Sequence, residues 1–126
     1  MKVIVYQISQ IDKQFLALAN HKRHKITIIN VPLDEITVYF ARSKDVVIIT
    51  GDGCSVSCSI LKKLVSSGVR YIITWLKDPF TGDLPEIKHD GLQWTHIRNT
   101  DPSDPSDAYE VISVINRWQK DDDDHN

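Results

Sequence analysis

The sequence predicts an α/β domain with an open, parallel, five-stranded sheet and helices on both of its faces. Three observations carry that expectation. Short β-prone runs alternate with stretches of helical periodicity along the chain. One run, Val46 to Thr50 (VVIIT), is almost wholly apolar, as suits a strand covered from both sides rather than one. The 126 residues, 41% of them hydrophobic, match one ordinary domain whose core can form without disulfide or metal staples.

The elements follow in order. Val3 to Gln7 (VIVYQ) reads as the first strand, and Ile11 to Ala19 places Ile11, Phe15, Leu16 and Leu18 at helical spacing. Ile26 to Ile29 (ITII) is the second strand, followed by a turn at Asn30 to Pro32. A helix is expected over Leu33 to Arg42, with Ile36, Phe40 and Ala41 facing inward and the acidic Asp34 and Glu35 in its first turn. Val46 to Thr50 is the central strand, closed by the glycine turn Gly51, Asp52, Gly53. Ser57 to Ser66 carries Ile60, Leu61 and Leu64 on one helical face, and Gly68 stands where a helix would be capped. Tyr71 to Trp75 is the fourth strand, a short helix is expected near Leu84 to His89, and Trp94 to Ile97 is the fifth strand. Ala108 to Trp118 forms the last amphipathic helix. Residues 1–120 make a single domain, and 121–126, which open with Asp121 to Asp124, an expected disordered acidic tail.

Parallel strands joined by right-handed crossovers give a flavodoxin-like, Rossmann-like sandwich, with strand order 2-1-3-4-5 expected here. Ligands of such sheets bind at the carboxyl ends of the strands, near the switch in strand order. The loops after Gln7, Thr50 and Trp75 are therefore where function is sought.

Composition narrows the classes. A net charge of −2 supplies no basic field for a phosphate backbone, so no nucleic-acid partner is expected. The basic run His21, Lys22, Arg23, His24, Lys25 reads as a solvated turn. No apolar run reaches membrane-spanning length, and the first residues lead straight into a strand rather than a signal peptide, so a cytoplasmic protein without a membrane partner is expected. Cys54 and Cys58 form C-x3-C, which places both thiols on one helical face but lacks two further ligands, so no metal is expected.

Two candidate sites remain at the predicted carboxyl edge. The turn Gly51, Asp52, Gly53, Cys54, Ser55 would present backbone N–H groups and hydroxyls to a small anion at a helix N-terminus. The loop with Trp75, Leu76, Pro79 and Phe80 sets large apolar side chains just past a strand, as at many protein contacts, and is read as a surface for a protein partner or a homo-oligomer, the alternative being that Trp75, which alternates with Ile73, and Phe80, which can fold back over Leu84, turn inward. The trio His89, Asp90 and His96 suggests a proton relay but has no placed nucleophile. A phosphatase-like site would need a Cys, a phosphate-cradling loop and an Arg, an arrangement Cys54 and Cys58 do not show.

MKVIVYQISQIDKQFL at the start, GVRYIITWLKDPFTGDL from Gly68 to Leu84, PEIKHDGLQWTHI and PSDAYEVISVI together resemble the substrate domain of the D-2-hydroxyacid dehydrogenases, including D-lactate dehydrogenase. In that family the fourth strand reads like GVKYI and runs into a loop of the type TRSVGYDNIDL. The resemblance implies a substrate domain standing alone without its NAD domain. The sequence lacks the G-x-G-x-x-G turn that brings a pyrophosphate to a helix N-terminus. The family's substrate-gripping arginine, acid-base histidine and tuning carboxylate lie in segments this sequence does not match, so the resemblance transfers no catalytic residue. Where the family has R-S-V-G, this chain has Trp75, Leu76, Lys77 and Asp78. The implied function is a binding or interaction module with no dehydrogenase activity alone and no cofactor. Two alternatives stay open: the substrate half of a split NAD-dependent dehydrogenase whose nucleotide domain is supplied in trans, and an unrelated small enzyme using Cys54 or a phosphatase-like site.

Overall fold

In the computed structural model, which describes residues 1–50, 58–76, 93–98 and 105–124, five strands form one parallel sheet in the order 2-1-3-4-5. They are β1 (Lys2–Tyr6), β2 (Lys25–Ile29), β3 (Val46–Thr50), β4 (Tyr71–Leu76) and β5 (Gln93–Arg98). Register runs straight across the sheet: Ile4 lies beside Thr27 and Val47, Val47 beside Ile72, and Ile72 beside Trp94. Every residue of β3 is buried, the outcome expected of an apolar strand hydrogen-bonded on both edges and covered on both faces.

Among the described residues, three α-helices and one 3-10 helix cover the sheet: α1 (Gln10–Asn20), the 3-10 helix Thr37–Ala41, α2 (Cys58–Ser66) and α3 (Ser106–Asp124). Strand alternation sends Val3, Val5, Ile48 and Ile73 to one face, where they pack with Leu16 of α1 and Val111 and Ile115 of α3. It sends Ile4, Tyr6, Val47, Ile49 and Ile72 to the other, with Val38 and with Leu61 and Leu64 of α2. Tyr71, which opens β4, stacks on Trp118 of α3, with ring centroids 4.5 Å apart and planes 17° from parallel. The Tyr6 hydroxyl crosses the second face to donate to the Thr37 carbonyl at 2.7 Å. Burial, with Asp34 adding to it, raises that phenol well above its ordinary range.

The helix ends are specified locally. Ser9 caps α1 by accepting the Asp12 N–H at 3.1 Å. After α2, Gly68 N–H donates to the Val65 carbonyl and Val69 N–H to the Leu64 carbonyl, both at 3.1 Å, with Gly68 at φ +97. This is the paired cap that needs a left-handed residue just past the helix. A side chain at Gly68 would meet nothing within 4 Å, so its cost is purely conformational.

Four sequence expectations are corrected. The helix expected over Leu33 to Arg42 is a five-residue 3-10 helix. Asp34 Oδ1 takes the Ile36 and Thr37 N–H groups, and Thr37 Oγ1 donates to the Pro32 carbonyl, so a local turn occupies the donors that would start an α-helix. In consequence Ile36 and Phe40, expected to face inward, are 79% and 58% exposed, while Val38 and Ala41 are buried. The helical spacing expected for α1 holds, with Leu16 buried against the sheet and Ile11 and Leu18 exposed. The run expected as a disordered tail continues α3 to Asp124, because each residue added to an existing helix gains a hydrogen bond without a new nucleation cost.

The fourth correction concerns His24, which belongs to the core rather than to a solvated turn. Asn20 clamps its backbone, donating to the His24 carbonyl and accepting the His24 N–H, each at 2.9 Å. The Met1 ammonium donates to Nδ1 at 3.1 Å, which leaves Nε2 to donate to Asn116 Oδ1 at 2.6 Å. Burial lowers the His24 pKa, the Asn116 bond opposes this, and the Met1 and Arg23 charges reinforce it.

Two measurements check these assignments. Gly68→Ala should lower the free energy of unfolding by about 1 kcal/mol, seen as a lower urea midpoint with unchanged slope. For His24 the unfolded chain takes up a proton near 6.5 whereas the folded chain resists it, so its contribution is full above that pH and fades as pH falls through 6.5 toward the lower folded value. Stability should therefore decline between pH 7 and 5, and His24→Gln should flatten that part of the profile.

Candidate functional site

The carboxyl ends of β1, β3 and β4 meet where the strand order reverses. β1 stops because Gln7 turns to φ 58, although its N–H still donates to the Ile29 carbonyl at 2.8 Å and keeps β2 in register. Thr50, at the end of β3, lies with its hydroxyl 3.1 Å from the Tyr6 carbonyl and 3.0 Å from that of Gln7. This side-chain tie fastens β3 to the departing end of β1. Thr50 pairs in turn with Trp75 of β4.

Among the described residues, two buried polar atoms at this edge have no hydrogen-bond partner: the Gln7 side-chain carbonyl Oε1 and the Trp75 indole Nε1. Buried polar groups are normally satisfied, and one left unmet costs about 1–3 kcal/mol. The acceptor belongs to the residue that ends β1 and the donor to β4, on either side of Thr50, on strands two ladder spacings, about 10 Å, apart.

Trp75 was expected in an exposed interaction loop and is instead 2% exposed, packed in the core between the sheet, α1 and α3. Its place in β4 explains this, since it lies on the same sheet face as Tyr71 and Ile73. Leu76 ends β4, while Pro79 and Phe80 lie outside the described residues, as do the turn Gly51, Asp52, Gly53, Cys54, Ser55 and the pair His89 and Asp90. Cys58 opens α2. His96 is on β5, where the Thr74 hydroxyl accepts from Trp94 Nε1 at 3.1 Å and faces His96 Nδ1 at 2.9 Å. Among the described residues no group of three or more His, Cys, Asp or Glu is placed to hold a metal, and no helix is long and apolar enough to cross a membrane.

Gln7, Thr50 and the Thr74 pair carry no sequence signal of their own. Gln7 closes an apolar run, and Thr50 and Thr74 read as ordinary β-branched strand residues.

Neither a family model nor a curated relative matches the sequence. Solved structures do. The apo-structure of D-lactate dehydrogenase from Escherichia coli aligns with a TM-score of 0.71 and 28% identity over 81% of this chain and 32% of that one. The Salmonella D-lactate dehydrogenase gives 0.69 and 28% over 77% and 30%. The pyruvate reductase of Chlamydomonas reinhardtii gives 0.68 and 25% over 81% and 30%. The chain thus spans under a third of the length of the proteins it matches.

The core placement of Trp75 has a direct test. Trp75→Ala should cost about 3–5 kcal/mol of stability, whereas truncating the more exposed Trp94 should cost far less; thermal unfolding of the two variants separates them.

Proposed function

We propose that this chain, which corresponds to a fragment of the D-lactate and D-2-hydroxyacid dehydrogenase family, is a non-catalytic binding module that takes a small hydroxy or keto acid at the carboxyl edge of its sheet. The observation that carries this reading is the unmet pair at that edge, the Trp75 indole donor and the Gln7 amide acceptor. The carboxylate of a 2-hydroxy or 2-keto acid accepts from an indole N–H, and the hydroxyl that only the hydroxy acid carries can donate to an amide oxygen. The names of the matched enzymes point to the same chemical class. A cytoplasmic setting is part of the proposal.

The residues present do not fit NAD. At the described edge the Gln7 N–H is already committed to Ile29, the Thr50 hydroxyl lies between two carbonyls, and no cation stands among these groups. The sequence holds no G-x-G-x-x-G turn to cradle a pyrophosphate. Hydride transfer is therefore not assigned to this chain alone. The small share of each relative that aligns favours one second reading, in which a separate nucleotide-binding chain completes a dehydrogenase.

Titration with D-lactate or pyruvate, followed at the indole N–H resonance of Trp75, tests the proposal. Either acid should shift that resonance saturably, and Trp75→Phe should weaken binding about tenfold as measured by calorimetry, the loss expected for a hydrogen bond to a charged group. An unmoved indole resonance would overturn the small-acid assignment. Lactate oxidation or saturable NADH binding by the chain alone would overturn the non-catalytic one. Activity appearing only on mixing with the nucleotide domain of a D-lactate dehydrogenase would establish the second reading.

A further inference from the structure

β2 is one edge of the sheet, paired only with β1. Lys25 N–H donates to the Met1 carbonyl and the Ile29 carbonyl accepts from Gln7 N–H, so the odd-numbered residues of β2 direct their backbone groups at β1. Alternation then turns the N–H and C=O of Ile26 and Ile28 outward. These form the unpaired row that makes an edge strand a template for another strand. The Ile26 and Ile28 side chains also line an open groove of about 320 Å³ between β2 and α1, with Leu16 and Ala17 along it and Lys13 and Lys22 beside them.

The charges around this edge share one sign. Lys13 and Lys22 line the groove face, Lys44 Nζ sits 3.2 Å from Thr27 Oγ1 on the other face, and Lys25 begins the strand. Among the described residues, no carboxylate lines the groove. A second copy could meet the same backbone groups by antiparallel pairing about Thr27, Ile26 opposite Ile28, but it would bring Lys44 against Lys44 and double the positive charge. Lysines at an edge act against self-pairing, and the same lysines attract a segment of opposite charge.

We propose that the outer edge of β2 accepts an acidic, extended segment of a partner protein as a sixth strand. Backbone bonds to Ile26 and Ile28 align the segment, alternate apolar side chains enter the groove beside α1, and the intervening carboxylates face Lys44 and Lys25. This is strand addition, with main-chain bonds setting affinity and alternate side chains setting specificity. The site is separate from the carboxyl edge and does not depend on what binds there.

The test uses the full chain and a fluorescein-labelled peptide of alternating aspartate and valine, read by fluorescence anisotropy, with a lysine-valine peptide as control. The aspartate peptide should bind saturably and more weakly as salt rises, and should protect the Ile26 and Ile28 amides from hydrogen exchange. Ile28→Pro removes an outward N–H without cutting a bond to β1 and should weaken binding at least about tenfold. Lys44→Glu, which leaves the backbone intact, should weaken it comparably and serves if the proline variant fails to fold. Equal binding of the lysine peptide, or binding unchanged in Lys44→Glu, would overturn the proposal. So would a dimer in sedimentation that Ile28→Pro dissolves, since the edge would then belong to a second copy.

Discussion

Burial of β3 on both faces and both edges is the constraint on which the rest of the domain depends. A strand that contacts no water must have all its backbone groups paired, which requires β1 on one side and β4 on the other. Its side chains must be covered twice, which requires α1 and α3 over one face and α2 with the 3-10 helix over the other. Five consecutive residues, Val46 to Thr50, satisfy both demands by being apolar and β-branched, except that Thr50 carries its branch as a hydroxyl. That hydroxyl sits where the strand leaves the core and is put to use binding the turn of Gln7.

The same constraint explains what could be read from the sequence. β1, β3 and β4 are rich in β-branched residues whose burial leaves little choice of conformation, the less buried β2 and β5 stood out as short β-prone runs between helical stretches, and parallel order followed from those helical stretches. The segment after β2 was not legible, because Ile36 and Phe40 mimic a helical stripe while the side chains of Asp34 and Thr37 compete for the backbone. His24 was hidden inside a basic run. Its burial depends on Asn116, 92 residues later in the chain, a pairing no local pattern reveals. At the carboxyl edge the strand ends were legible as the place to look, and of the two readings open for Trp75, surface loop or continuation of the strand's buried face, its alternation with Ile73 pointed to the one the structure shows.

The two proposed sites use different physics. The carboxyl edge offers two side-chain atoms with unmet hydrogen bonds inside a buried setting, where a small polar ligand gains most from each contact. The outer edge of β2 offers backbone groups in water beside lysines, where single contacts are weak and a long segment must sum several of them. One molecule can host both, since the first lies at the ends of the strands and the second along the flank of one.

The stack of Tyr71 on Trp118 has a geometric consequence. Tyr71 is the first residue of β4, so Trp118 is level with the amino edge of the sheet, and the bond from Asn116 to His24 fixes that level a second time. Everything in α3 after Trp118 therefore overhangs the sheet. The helix has 19 residues, about 28 Å at 1.5 Å per residue, against roughly 20 Å for the longest strand. Its last turn carries four consecutive aspartates beyond the amino edge, at the pole opposite the candidate ligand site.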